Sequence, residues 1–128
     1  NADLLRQGRF TEIDIENIVE ELESMGRSDK RELASLLMVL IKHLLKWQYQ
    51  PKRRCGSWST TIGNQRSDIK RLLEDSPSLK NNIETIIDKE FIEAKRRFEN
   101  ETKISAKELP ETCLYTFEQL TDYDFWPE

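Results

Sequence analysis

A chain of 128 residues is long enough for one domain, residues 1–128, that buries about two thirds of the surface its unfolded form exposes, so no staple is required. Charged residues at 34%, hydrophobic residues at 37% and only four Gly and four Pro describe a helix-rich bundle with few turns and well-solvated outer faces. The longest apolar run, Leu36 to Ile41, falls far short of the ~20 residues that span a bilayer, and the chain opens on no signal pattern, so a cytoplasmic protein with no membrane partner is expected.

The chain starts inside a helical pattern, Leu4 to Phe10, with no starting cap, which places the expected beginning of the domain upstream of residue 1. Thr11 to Asp14 offer capping oxygens. Ile15, Ile18, Val19, Leu22 and Met25 follow at helical spacing until Gly26, a residue suited to the left-handed position past a helix end. Ser28 is expected to cap a second helix, with Asp29 and Glu32 in its positive first turn, running to about Gln48 before Pro51 forbids continuation. Leu33, Leu36, Leu37, Leu40, Ile41, Leu44 and Leu45 make it the most apolar element, and Met38 and Val39 widen its face, so it belongs at the centre.

After a basic loop, Ser57 or Ser59 can cap a third helix striped by Trp58, Ile62, Gln65, Ile69, Leu72 and Leu73, with Arg66, Lys70 and Arg71 spread over the remainder. Gly63 within it costs about 1 kcal/mol relative to Ala unless the central helix packs closely there, and close packing is the expectation. Ser76-Pro77 reads as N-cap and first residue of a fourth helix, whose apolar positions are Leu79, Ile83, Ile86, Ile87, Phe91, Ala94 and Phe98. Glu101 to Glu111 reads as a loop. Thr116 and Gln119 have capping-box spacing for a short helix, and the aromatic tail Tyr123 to Pro127 is expected to be pinned onto the core. The fold class is therefore all-α, a bundle of about four main helices with a short C-terminal helix and an aromatic tail.

The net charge of −4 conceals an asymmetry: Lys42 to Arg71 carries eight Lys or Arg against the single Asp68. The acid is concentrated early, at Glu12, Asp14, Glu16, Glu20, Glu21 and Glu23. Pairing of that acidic face with the basic segment inside one fold is the plain explanation.

Signals for enzyme chemistry are weak, and the enzyme reading leans to no. His43, the single histidine, has neither an orienting carboxylate nor a nucleophile nearby in sequence, and a hydrogen-bonded packing role is expected. Paired Glu-x-x-His ligands cannot be supplied by one histidine, Glu16, Glu20 and Glu23 fit a solvated face, and Cys55 and Cys113 form no Cys-x-x-Cys pair. No phosphate-binding glycine loop occurs, and the hydroxyls of Ser57-Trp-Ser-Thr-Thr61 lack a base. No metal, cofactor or catalytic residue is expected.

The candidate binding surface is Lys46, Lys52, Arg53, Arg54, Arg66, Lys70 and Arg71, interleaved with Trp47, Tyr49 and Trp58. Cations beside aromatic planes can hold phosphates and stack bases, yet a pI of about 5.2 is low for a nucleic-acid protein, and Trp47 and Trp58 are expected to close the core between two helices. The leading reading is a protein-interaction module or homodimer. RNA or DNA binding by the same surface is the alternative, and an uncharacterised enzyme the second alternative.

Five separated blocks carry a resemblance: Arg9 to Gly26 with Ile-Asp-Ile-Glu-Asn-Ile-Val-Glu-Glu-Leu, His43 to Pro51, Ser57 to Arg66, Leu72 to Leu79, and Phe125-Trp-Pro-Glu128. In order and across essentially the whole chain, they resemble the bacterial domain-of-unknown-function 29 family, best known from cyanobacteria. The resemblance implies an almost wholly helical cytoplasmic protein and transfers no catalytic or ligand residues. Members of that family begin with a further helix containing a Trp or Tyr, which agrees with an expected start upstream of residue 1.

Overall fold

Thirty-eight consecutive residues without a proline, Glu12–Tyr49, form one unbroken helix, α1. This computed structural model describes the backbone from Glu12 to Glu128 and the side chains from Arg27 onward. The chain divides into two compact units, Asn1–Arg31 and Glu32–Glu128, and α1 contributes residues to both. The expected break at Gly26 and the expected cap at Ser28 are thus corrected. An internal glycine costs a helix only about 1 kcal/mol, whereas ending it strands four carbonyls, and Arg27, Lys30, Arg31 and Glu32 all favour continuation. The pattern at Leu4 to Phe10, the Thr11 cap and the early acidic side chains lie outside the described residues, as does their expected pairing with the basic segment.

Within the unit Glu32–Glu128, Leu33, Leu37, Leu40, Ile41, Leu44 and Leu45 of α1 are all fully buried, as their spacing requires of a helix with neighbours on several sides. Pro51 stops α1 because it has no N–H to donate. The last helical bond is Gln50 N–H to Lys46 O, and a 3₁₀ turn, Pro51–Arg53, follows. Helix α2, Gly56–Asp75, then begins without a side-chain cap. Its cap position is Cys55 rather than Ser57 or Ser59, and the Ser59 hydroxyl bonds instead to Gly56 O. Gly63 is not there for close packing: a Cβ at this position would meet nothing within 4 Å.

A 3₁₀ turn, Pro77–Asn82, separates α2 from α3, Ile83–Thr102. Pro77 therefore opens a tight turn rather than the long helix, and the Ser76 side chain caps neither; its carbonyl accepts from Leu79 N–H. Ile83, Ile87, Phe91, Ala94 and Phe98 form the buried stripe of α3. Tyr49 meets Phe98 edge-on at 6.3 Å, and Glu101 reaches Lys42 and Lys46, so the C-terminal ends of α1 and α3 lie side by side. Two tight connections between them make an up-down-up arrangement. Lys103 takes the left-handed conformation, φ 66°, to close α3.

From there the chain runs back along α3. Leu109 and Tyr115 are buried, and the Tyr115 hydroxyl donates to Gln48 Oε1 at 2.7 Å. The predicted capping box is present at α4, Phe117–Thr121: Gln119 N–H donates to Thr116 Oγ1, and Thr116 N–H to Gln119 Oε1. The last residues, Asp122 to Glu128, form a strap along α2, with Pro127 buried. Among the described residues the structure is all-α with no strand.

Candidate functional site

The basic segment does not form one collar. Lys46 sits at the end of α1, its Nζ 3.0 Å from Glu101 Oε2 and 5.6 Å above the Trp58 ring, so this lysine joins α1 to α3. Arg54 donates from Nε to Trp47 O at 2.7 Å, satisfying a carbonyl that the end of α1 leaves unpaired, and from Nη2 to Pro127 O at 3.4 Å. Its guanidinium also lies 5.0 Å from the centre of the Trp47 ring.

Arg66 departs furthest from expectation. Its residue type puts it in the polar remainder of its helix, yet it is 0% exposed. Its Nε donates to Leu120 O at 2.8 Å and its Nη2 to Phe125 O at 2.8 Å and Gln119 O at 3.3 Å, while Trp126 covers it at 5.5 Å. These carbonyls belong to the end of α4 and to the strap; Gln119 O also accepts from Asp122 N–H at 3.3 Å, whereas Leu120 O and Phe125 O take their bonds from Arg66. A planar fork of donors fits several acceptors at once. Burial pushes the guanidinium pKa down from its ordinary value, and Asp122 and Tyr123 oppose that shift. Arg66 is therefore removed from the candidate surface, because a side chain with no solvent access cannot touch a partner.

Lys52 and Arg53 are exposed on the 3₁₀ turn, and neither has an ion pair among the described residues. Lys70 and Arg71 lie at the other end of α2, about 20 Å away at 1.5 Å of rise per residue. Lys70 stands 3.9 Å over the Tyr123 ring, and Arg71 is exposed. The structure thus leaves two separate cationic places, one at each end of α2.

The aromatics near the first place are engaged internally. Trp47 is half-buried against the core and contacts Trp126 at 4.6 Å, Tyr49 meets Phe98, and Trp58 is half-buried beneath Lys46. Trp126, 36% exposed, was not singled out from sequence. Only its position in an aromatic tail hinted at docking.

His43 donates its Nδ1–H to Val39 O at 2.8 Å, since a carbonyl only accepts. Burial lowers its pKa, Lys46 and Lys42 add to that, and the Val39 bond and Glu101 oppose it. Cys113 is half-buried with its thiol pKa raised by burial, and Cys55 is exposed. Among the described residues no group of three His, Cys, Asp or Glu is placed to hold a metal ion, and no helix is long and apolar enough to cross a membrane.

What the geometry defines is an all-α domain closed by a C-terminal strap that two arginines hold through backbone carbonyls. The chain belongs to the family described as domain of unknown function DUF29, whose model matches residues 1–126. No curated protein and no solved structure matches it.

Proposed function

We propose that this domain is a binding module that takes an acidic protein segment on the turn carrying Lys52 and Arg53. The observation that carries this reading is the contrast within one loop: Arg54 is anchored to Trp47 O and Pro127 O, while its neighbours Lys52 and Arg53 are exposed and unpaired among the described residues. An anchored turn holds two cations with little further ordering cost on binding. The nucleic-acid alternative uses the same cations, but the rings that would stack bases already contact internal neighbours. The acidic segment of a second copy, Glu12 to Glu23, has the required chemistry, which keeps a homodimer within this reading.

The test is a titration of the chain with a synthetic peptide of its own residues 12–23 and, separately, with a single-stranded oligonucleotide, each across a salt series. The reading predicts peptide binding that weakens with salt and disappears in the Lys52→Glu, Arg53→Glu double variant. Oligonucleotide binding with a slope of about −0.7 per phosphate and no peptide binding would replace it with the nucleic-acid reading. Binding of neither removes this surface from consideration.

A further inference from the structure

We propose that the pocket where α2, the Pro77–Asn82 turn and α4 meet is a separate site for a flat organic monoanion, an aromatic ring bearing one carboxylate. The pocket measures about 400 Å³, within the ~300–1,000 Å³ range of small-molecule sites. Leu73, Pro77 and Phe117 form its apolar lining, and Lys70 and Lys80 supply its cations. Neither lysine is in an ion pair with a described carboxylate, and each lies against an aromatic ring: Lys70 3.9 Å over Tyr123 and Lys80 5.8 Å over Phe117.

These rings are held in place. The Tyr123 hydroxyl is hydrogen-bonded to Ser67 Oγ at 3.0 Å, and Phe117 packs against the core at the first residue of a helix fixed by the Thr116–Gln119 capping box. In each contact the ammonium itself lies over the ring face, which holds it in position. An apolar lining that includes two such lysines matches a ligand that is apolar in body and anionic at one end.

The charge of the ligand follows from Glu74, the one carboxylate of the lining. Two lysines against one glutamate leave a single net positive charge, which suits a monoanion; a phosphate dianion would meet Glu74 with like-charge repulsion. The shape follows from Phe117, whose ring offers a partner to another ring. The site lies at the opposite end of α2 from Lys52 and Arg53, so it does not depend on the acidic-peptide reading.

The experiment is an amide-resolved NMR titration of the full chain with benzoate, with benzamide as its neutral counterpart, and with inorganic phosphate. Benzoate is expected to shift the amide signals of Leu73, Lys80 and Phe117 saturably, with benzamide and phosphate each about tenfold weaker or worse. Lys80→Gln, on an exposed turn, and Lys70→Gln should each weaken benzoate binding, and Lys52→Gln should leave it unchanged. Equal binding of benzoate and benzamide overturns the anionic part, and equal binding of phosphate overturns the aromatic part. Absence of a saturable shift, or shifts indifferent to both lysine variants, overturns the site. Because Lys70→Gln also removes the Tyr123 contact, Lys80→Gln decides should the strap signals move in the former.

Discussion

Arg66 of α2 donates from Nε to the carbonyl of Leu120 at 2.8 Å, joining residues 54 apart in the chain, and does so with no solvent access. No carboxylate pairs with it at salt-bridge distance among the described residues. The positive charge is accommodated by carbonyl dipoles and by the Trp126 ring. Arg66→Ala is expected to cost about 3 kcal/mol, since it strands the carbonyls of Leu120 and Phe125, each with a penalty of about 1 to 3 kcal/mol when buried and unpaired, while Gln119 O keeps its bond from Asp122 N–H. Arg66→Lys should recover less than half, because an ammonium cannot reproduce the fork. Urea unfolding of the two variants beside the parent measures both.

Two backbone positions have their residues the wrong way round for stability. Gly63 is in a helix interior with room for a methyl group, and Lys103 holds a left-handed conformation that glycine adopts freely. Gly63→Ala should stabilise by about 0.5 to 1 kcal/mol. Lys103→Gly should stabilise by a similar amount, about 0.5 to 1 kcal/mol. A fall in melting temperature for either would show that the local geometry is not as described.

His43 sets a pH window. Its folded pKa lies below the ordinary 6.5, chiefly because burial disfavours the imidazolium. Protonation therefore favours the unfolded chain: the stability His43 contributes is complete above the unfolded pKa and falls as pH drops through 6.5 towards the folded value. Glu101 acts lower. Burial raises its pKa, but the bonds from Lys46 and Lys42 outweigh it and the net shift is down, so its contribution is lost only as pH falls below the ordinary carboxylate range. Thermal melts between pH 7.5 and about 5 should show a decline that His43→Asn flattens, with the steeper loss at lower pH retained.

Trp47 lies between Arg54 and Trp126. Its replacement by Ala removes both contacts and part of the core, with an expected cost of about 3 kcal/mol, at the lower end for a large aromatic because the side chain is only half-buried. The fluorescence of Trp126 should shift to the red as its environment becomes wetter. An unchanged melting temperature with an unchanged spectrum would mean that the strap does not depend on this stack.

Much of this protein follows from periodicity. The apolar spacing of Leu33 to Leu45, the stop at Pro51, the α3 stripe from Ile83 to Phe98 and the Thr116 capping box are local properties, each set by residues within a few positions of one another, and each appears where the sequence places it, though Leu79 falls in the turn before α3. Gly26 misleads because a glycine permits a helix end without requiring one; what decides is whether continuing costs more than stopping, and a single glycine among helix formers is inexpensive. Arg66 occupies a buried position of its helix, four residues after Ile62 and three before Ile69, so the period alone pointed inward while the residue type pointed out. Only the tertiary structure resolves that conflict. A guanidinium can be buried if carbonyls meet it, and those carbonyls come from Gln119, Leu120 and Phe125, more than fifty residues away. The same dependence on distant chain divided the basic segment, since whether a cation faces water or an internal acceptor is fixed by what the fold brings to it, and no local spacing records that.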